Sequence, residues 1–136
     1  MSTAPTQGLS ISEAADRTGL SADTLRYYER IGLMDPVPRS ASGQRVYGEG
    51  ELDRLELINR LRDTGMPIRG MLEYARLVRR GPEAAARRRG MLVEHRKRLR
   101  AEMERTEETV RYLDYKIGVY DELLAGEADD RPAAGG

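Results

Sequence analysis

Cysteine, phenylalanine and tryptophan are missing from this chain of 136 residues, and histidine occurs once. Without cysteine there can be no disulfide, no thiolate metal site, no iron–sulfur cluster and no thiol-based sensing. His95 alone cannot hold a metal ion, so neither metal nor cofactor is expected. No apolar run approaches the roughly 18 residues that a membrane helix needs. No secretory signal is read in the sequence either, so a cytoplasmic protein is expected. Charge of one sign is also lacking, since 23 basic residues balance 23 acidic ones. Bulk attraction to nucleic acid is therefore weak, and any such binding must come from local patches. Catalysis finds little support: there is no Gly-rich phosphate loop, and no carboxylate pair stands apart from helix-surface charge. The seven tyrosines are the only aromatic side chains, so any aromatic-lined pocket would have to use them.

What is present is mostly helical pattern. Residues 1–8 are small and polar and read as a disordered lead. Ser10-Ile11-Ser12-Glu13 has the spacing of a capping box. Ile11, Ala14, Ala15 and Thr18 then share one helical face, and Gly19 ends it. Ser21 caps a second helix, for which Gly32 suits the C-terminal end. Two short helices joined by Gly19-Leu20-Ser21 form a helix-turn-helix pattern. Pro36 and Pro38 then forbid helix. Two short extended pieces, Val37 to Arg39 and Gln44 to Tyr47, flank Ser42-Gly43 and read as a small hairpin, a wing. Helix returns near Glu49 with an apolar stripe of Leu52, Leu55, Ile58 and Leu61, while Arg54, Arg60 and Arg62 lie off it. Gly65-Met66-Pro67 breaks it, and Ile68 to Arg80 carries another helix, with Met71, Leu72, Ala75 and Val78 as its buried stripe. Gly81-Pro82 marks the clearest boundary. A brief Ala84-Ala85-Ala86 piece and the basic run Arg87-Arg88-Arg89 follow it.

From about Gly90 to Leu124 no proline interrupts. Leu99, Met103, Thr106, Val110, Leu113, Ile117, Tyr120 and Leu124 alternate steps of three and four, which is a coiled-coil seam. Two four-residue steps around Leu99 make a stutter, where the supercoil unwinds locally. A helix of about 33 residues runs roughly 50 Å. Its stripe is too long for the preceding domain to cover, so a second copy of the chain is the expected partner. The domain plan is thus a lead at 1–8, a DNA-binding domain at 9–80, a linker and dimerisation helix at 81–125, and a disordered tail at 126–136.

These residues together resemble the MerR family of bacterial transcription regulators. The resemblance is carried by Ser12-Glu13-Ala14-Ala15, Thr18-Gly19-Leu20-Ser21, the run Thr24 to Leu33, and Ser42-Gly43-Gln44-Arg45-Val46-Tyr47. It continues through Leu52-Asp53-Arg54-Leu55 and Ile58 to Gly65, a density that chance does not produce. It implies a mainly α fold: a winged helix-turn-helix DNA-binding domain followed by a long antiparallel coiled-coil dimerisation helix. It also implies a homodimer on double-stranded promoter DNA, sharing that promoter with RNA polymerase. Members bind an over-long promoter spacer and activate by bending and untwisting it when an effector is bound. Met91 to Arg96 and Leu113 to Tyr120 look like the short-tailed branch of the family, some of whose members sense through a cysteine. With no cysteine here, thiol, mercury, copper, zinc and redox sensing do not carry over. No large drug-binding domain is expected after Leu124.

The resemblance places Arg26 and Tyr27 on DNA. A guanidinium donates to phosphate or guanine in a planar fork, and a tyrosine hydroxyl donates to phosphate. Thr24 is a further candidate for approaching a base edge. Tyr28 shares the inward side with Leu25 and Ile31, so core and contact both remain open for it. Arg39, Arg45 and Tyr47 belong to the wing and are expected on the flanking backbone, although Tyr47 could instead close the wing onto the core. Arg62 is expected to make a basic phosphate contact near the end of its helix. The dimer seam is assigned to Leu99, Met103, Val110, Leu113, Ile117, Tyr120 and Leu124. Tyr74, Tyr112, Tyr115 and Tyr120 are candidates for an effector pocket or for packing between subunits. The competing function is a protein-docking adaptor that uses the long helix and binds no DNA.

Overall fold

The computed structural model describes residues 8–135, and side chains as far as Glu127. The expected lead therefore lies outside the described residues except for Gly8. The helices are α1 (Ile11–Thr18), α2 (Ala22–Ile31), α3 (Glu49–Asp63), α4 (Ile68–Arg79) and α5 (Ala85–Gly135), with a 3₁₀ turn at Pro82–Ala84 before α5. The chain divides into two units, one ending at Leu92 and the other starting at Val93.

Local chemistry sets the ends of the first two helices. The Ser10 hydroxyl accepts from the Glu13 amide at 3.1 Å, and the Glu13 carboxylate accepts from the Ser10 amide at 2.9 Å, closing a capping box. Ser21 caps α2 by accepting from the Thr24 amide at 3.0 Å. Gly32 ends α2 at φ 92°, a left-handed conformation that side chains disfavour. The chain then folds back so that the Leu33 amide donates to the Tyr28 carbonyl at 2.9 Å.

The core of the first unit is built from α1, α2, the start of the wing, α3 and α4. Ala14, Leu25, Leu33, Val37, Leu55, Ile58, Leu61 and Met71 are buried in it. Each fully buried leucine contributes about 1.5–3 kcal/mol of hydrophobic free energy. The α3 stripe falls where its period of three to four residues places it, with Leu52 only partly buried at the edge. In α4 the emphasis differs from the sequence reading. Met71, Ala75 and Leu77 are buried, whereas Leu72 and Val78 are half-buried. Leu77 is buried at the end of α4, next to the turn at Pro82–Ala84, where Ala84 is buried too.

The wing is less regular than two strands. Among the described residues only two isolated antiparallel bridges form, Arg39 with Arg45 and Leu9 with Tyr47. The Val46 amide donates to the Pro38 carbonyl at 2.8 Å and the Ser40 amide to the Gln44 carbonyl at 2.7 Å. Gly8 passes so close to the wing that a Cβ there would lie 2.3 Å from Val46 Cγ1.

The last helix starts earlier than expected, at Ala85 rather than Gly90. Gly81-Pro82 stops α4, and two alanines, the best helix formers, follow at once. Arg88 ties this first turn back by donating to the Leu77 and Gly81 carbonyls, each at 3.0 Å. Gly90 lies inside the helix, at a cost of about 1 kcal/mol that a long helix absorbs. The helix also runs past Leu124 to Gly135, so the backbone is helical where an unstructured tail was expected from Gly126. In this single chain, Met103, Val110, Leu113, Ile117, Tyr120 and Leu124 remain between 49% and 63% exposed, and Leu99 is half-buried. No helix among the described residues is long and apolar enough to cross a membrane.

Candidate nucleic-acid interface

Helix α2 has two sides. Leu25 and Tyr28 are buried, while Arg26 and Tyr27 are exposed. Arg26 Nη1 donates to Asp23 Oδ1 at 2.9 Å, so a carboxylate in the first turn holds the guanidinium. The Arg30 guanidinium lies 5.4 Å from the centroid of the Tyr27 ring, a cation–π contact that restrains the ring on the surface. Thr24 is half-buried, and its hydroxyl accepts from Ser21 at 2.9 Å. Its oxygen therefore already takes part in the cap.

Tyr28 resolves to the core. Its hydroxyl accepts from Arg62 Nη1 at 2.8 Å, and Arg62 also reaches Asp63 at 3.1 Å. The Asp63 hydrogen bond, with a smaller part from Tyr28, raises the Arg62 pKa against a counteracting desolvation. Arg62 thus braces α2 from α3 and keeps an exposed side.

The wing meets α2 through Glu29. One of its carboxylate oxygens accepts from Arg45 Nε at 2.7 Å and the other from the Val37 amide at 3.1 Å. Burial alone would raise the Glu29 pKa. The Arg45 hydrogen bond, the Val37 amide and the charges of Arg45 and Arg39 outweigh it and hold the carboxyl below its ordinary value. Arg39 is exposed and donates to the Gly43 carbonyl at the wing tip at 3.0 Å.

Tyr47 departs from its expected place on the flanking backbone. It is only 1% exposed and closes the wing onto the core. Its backbone pairs with Leu9 in both directions, at 2.8 Å and 2.7 Å, and this pairing turns the ring inward. Burial raises the pKa of its hydroxyl.

Arginines missed by the sequence reading complete the frame. Arg79 binds Asp35 at 2.8 Å and donates to the Gly32 carbonyl, and Arg54 donates to the Leu33 carbonyl at 3.2 Å. Both hold the chain leaving α2. Their partners lie 21 and 44 residues away in sequence, so no local signal marks them.

Residues 9–76 match the family described as MerR HTH family regulatory protein, and residues 52–115 match a family described as MerR, DNA binding. The chain belongs to the MerR family. It is 40% identical over 91 residues to the HTH-type transcriptional regulator AdhR of Bacillus subtilis, covering 67% of this chain and 65% of that one. The aligned segments span between 49% and 80% of the length of the first four curated relatives. Among solved structures, a MerR family regulator from Listeria monocytogenes superposes with a TM-score of 0.81 at 35% identity, covering 90% of this chain and 92% of that one. HiNmlR, described as a MerR family regulator lacking the sensor domain and bound to promoter DNA, gives 0.77 at 26% identity, covering 87% and 94%.

The remaining expected sites of this MerR-family chain are less grouped. Tyr112 and Tyr115 lie together on α5 with ring centroids 6.2 Å apart, both exposed. Tyr120 is exposed further along α5, and Tyr74 is half-buried in α4. The basic run before the long helix is partly committed to structure. Arg88 caps carbonyls as described, and Arg87 lies 3.7 Å from Glu73. Among the described residues no cluster of histidine, aspartate and glutamate is placed to hold a metal ion.

Proposed function

We propose that this chain is a DNA-binding transcriptional regulator that acts as a homodimer on promoter DNA. The observation that carries the reading is the braced surface of α2. Arg26 and Tyr27 point outward from a helix whose inner side is fixed by Leu25, Tyr28 and Arg62. The wing stands beside it with Arg39 exposed. Arg26 and Tyr27 grip the half-site, Arg39 and Arg62 reach phosphates on either side, and Thr24 approaches the groove from the helix start. The MerR-family match and the DNA-bound relative support this reading.

The second copy enters through α5. Its exposed stripe would cost free energy in a lone chain in water. Charge along the helix supports an antiparallel partner. Over residues 85–101 seven basic residues face one acidic residue, Glu94, and over residues 102–127 eight acidic residues outnumber three basic ones, Arg105, Arg111 and Lys116. Antiparallel pairing sets each basic end towards the partner's acidic end, whereas parallel pairing opposes like charges. Two heads then bind with avidity despite zero net charge.

On a long promoter spacer such a dimer activates by distorting the DNA for RNA polymerase, in the cytoplasm where that DNA lies. Without cysteine, any effector acts through a contact other than a thiolate, and the tyrosines of α5 are the candidates to receive it. The test is selection of duplexes from a random library, followed by footprinting and run-off transcription on the recovered site. Enrichment of a two-half-site sequence with changed transcription is expected. Recovery of random sequence at salt-sensitive, uniform affinity would sink the reading.

A further inference from the structure

Glu29 is a carboxylate inside the surface that the proposed function assigns to DNA, and so far it has no role there. It lies three residues after Arg26, hence on a neighbouring strip of α2. A negative charge at such a place repels phosphate and lowers affinity unless it does something else. Its side chain is only 14% exposed, and both oxygens are used, one by Arg45 Nε and one by the Val37 amide. Val37 lies in the first arm of the wing and Arg45 in the second. A single carboxylate from α2 thus pins both arms.

Val37 and Tyr47 bury the base of the wing in the core, and among the described residues its arms have few further ties. Its arms share one bridge, Arg39 with Arg45, and its base is tied by Leu9 with Tyr47. A two-residue-wide hairpin of this kind is marginal by itself in water. Arg39 spends one guanidinium nitrogen on the wing's own tip, which rigidifies the tip without attaching it to the head. Among the described residues, Glu29 makes the polar links from the wing arms to the reading helix.

We propose that Glu29 is a positioning residue that sets the wing against α2, so that Arg39 and Arg26 reach DNA in one fixed spacing. Arg45 then serves as the strut's other end and not as an independent phosphate contact. The inference rests on the DNA-binding reading, but its core can be read in the free protein. In Glu29→Ala, amide hydrogen exchange at Ser40, Gln44 and Val46 should accelerate while α2 and α3 amides keep their protection. On a duplex recovered with the native protein, affinity should fall about tenfold, the cost of ordering one or two mobile side chains on binding. Footprint protection should vanish at the outer, wing-side positions and persist at the centre of each half-site. Arg45→Ala should do the same, and the double variant should be no worse than either single one.

Three results overturn the proposal. One is unchanged exchange at the wing amides in Glu29→Ala. Another is equal or tighter DNA binding with an intact footprint, which would make Glu29 only an electrostatic burden. The third is additive losses in the double variant, which would make Arg45 a DNA contact in its own right. Glu29→Gln keeps the side-chain volume and one acceptor oxygen, and should fall between the native protein and Glu29→Ala in both readouts; it serves if the alanine variant does not fold. If the native protein recovers no duplex, the DNA reading fails while the exchange measurement still decides whether Glu29 holds the wing.

Discussion

Replacing Leu113 with glutamate should take the dimer apart. Leu113 is 50% exposed in the single chain. Burying a whole leucine contributes about 1.5–3 kcal/mol, so covering the exposed half contributes about 0.8–1.5 kcal/mol in each copy. A two-fold axis uses the residue twice, which doubles the loss to about 1.5–3 kcal/mol. Glutamate adds the penalty of drawing two carboxylates into an apolar seam, a further few kcal/mol on the scale of partly buried charge, which Lys116 three residues on offsets only in small part. A total of about 3–5 kcal/mol weakens the dimer about 10²–10⁴-fold. Glutamate is a good helix former, so α5 itself should survive, and the head has its own core. Sedimentation equilibrium over a dilution series reads the association directly, and circular dichroism checks that helix content persists. Promoter binding should fall with dimerisation, because the second head no longer binds at high effective concentration. If Leu113→Glu keeps the native dimer mass and the native DNA affinity, the seam is misassigned and the exposed stripe serves something else.

Other perturbations probe the head. Arg26→Ala should weaken operator binding by about 1–3 kcal/mol per half-site and reduce its salt dependence, with the melting temperature and dimer mass unchanged; a gel-shift titration at several salt concentrations decides. Tyr28→Phe removes the acceptor of the 2.8 Å Arg62 hydrogen bond and should cost about 0.5–1.5 kcal/mol in urea unfolding. The pH dependence of stability should carry a Glu29 contribution. Its folded pKa lies below the ordinary glutamate value, so the carboxylate's stabilisation is complete above that ordinary value and is lost as pH falls through the folded pKa. Thermal melts of the native protein and Glu29→Gln should therefore differ at neutral pH and converge in acid, and a gap that stays constant down the series would refute the shift.

What the sequence made legible was local, and what it hid was long-range and polar. Ser10 with Glu13, Ser21 with Thr24, and Gly32 at φ 92° each act within a turn of helix, so their spacing is enough to place α1 and α2. The apolar period likewise located the α3 stripe. In α4 it missed Leu77, which is buried off the stripe of Met71, Leu72, Ala75 and Val78. Tyr47 stayed ambiguous because its side is set by pairing with Leu9, 38 residues earlier. Glu29 with Arg45 spans 16 residues, Arg62 with Tyr28 34, and Arg79 with Asp35 44. Nothing periodic relates such pairs, and each partner alone looks like surface charge. These same contacts decide which arginines keep exposed guanidinium groups. Arg45, Arg54, Arg79 and Arg88 are engaged in holding the chain, while Arg39 and Arg26 keep exposed guanidinium groups tied only to nearby wing-tip or helix atoms. A chain with no net charge cannot rely on the number of its cations. On the proposed DNA-binding reading, its affinity depends on which few are held in position, and the struts that hold them would be as much a part of the interface as the residues that touch DNA.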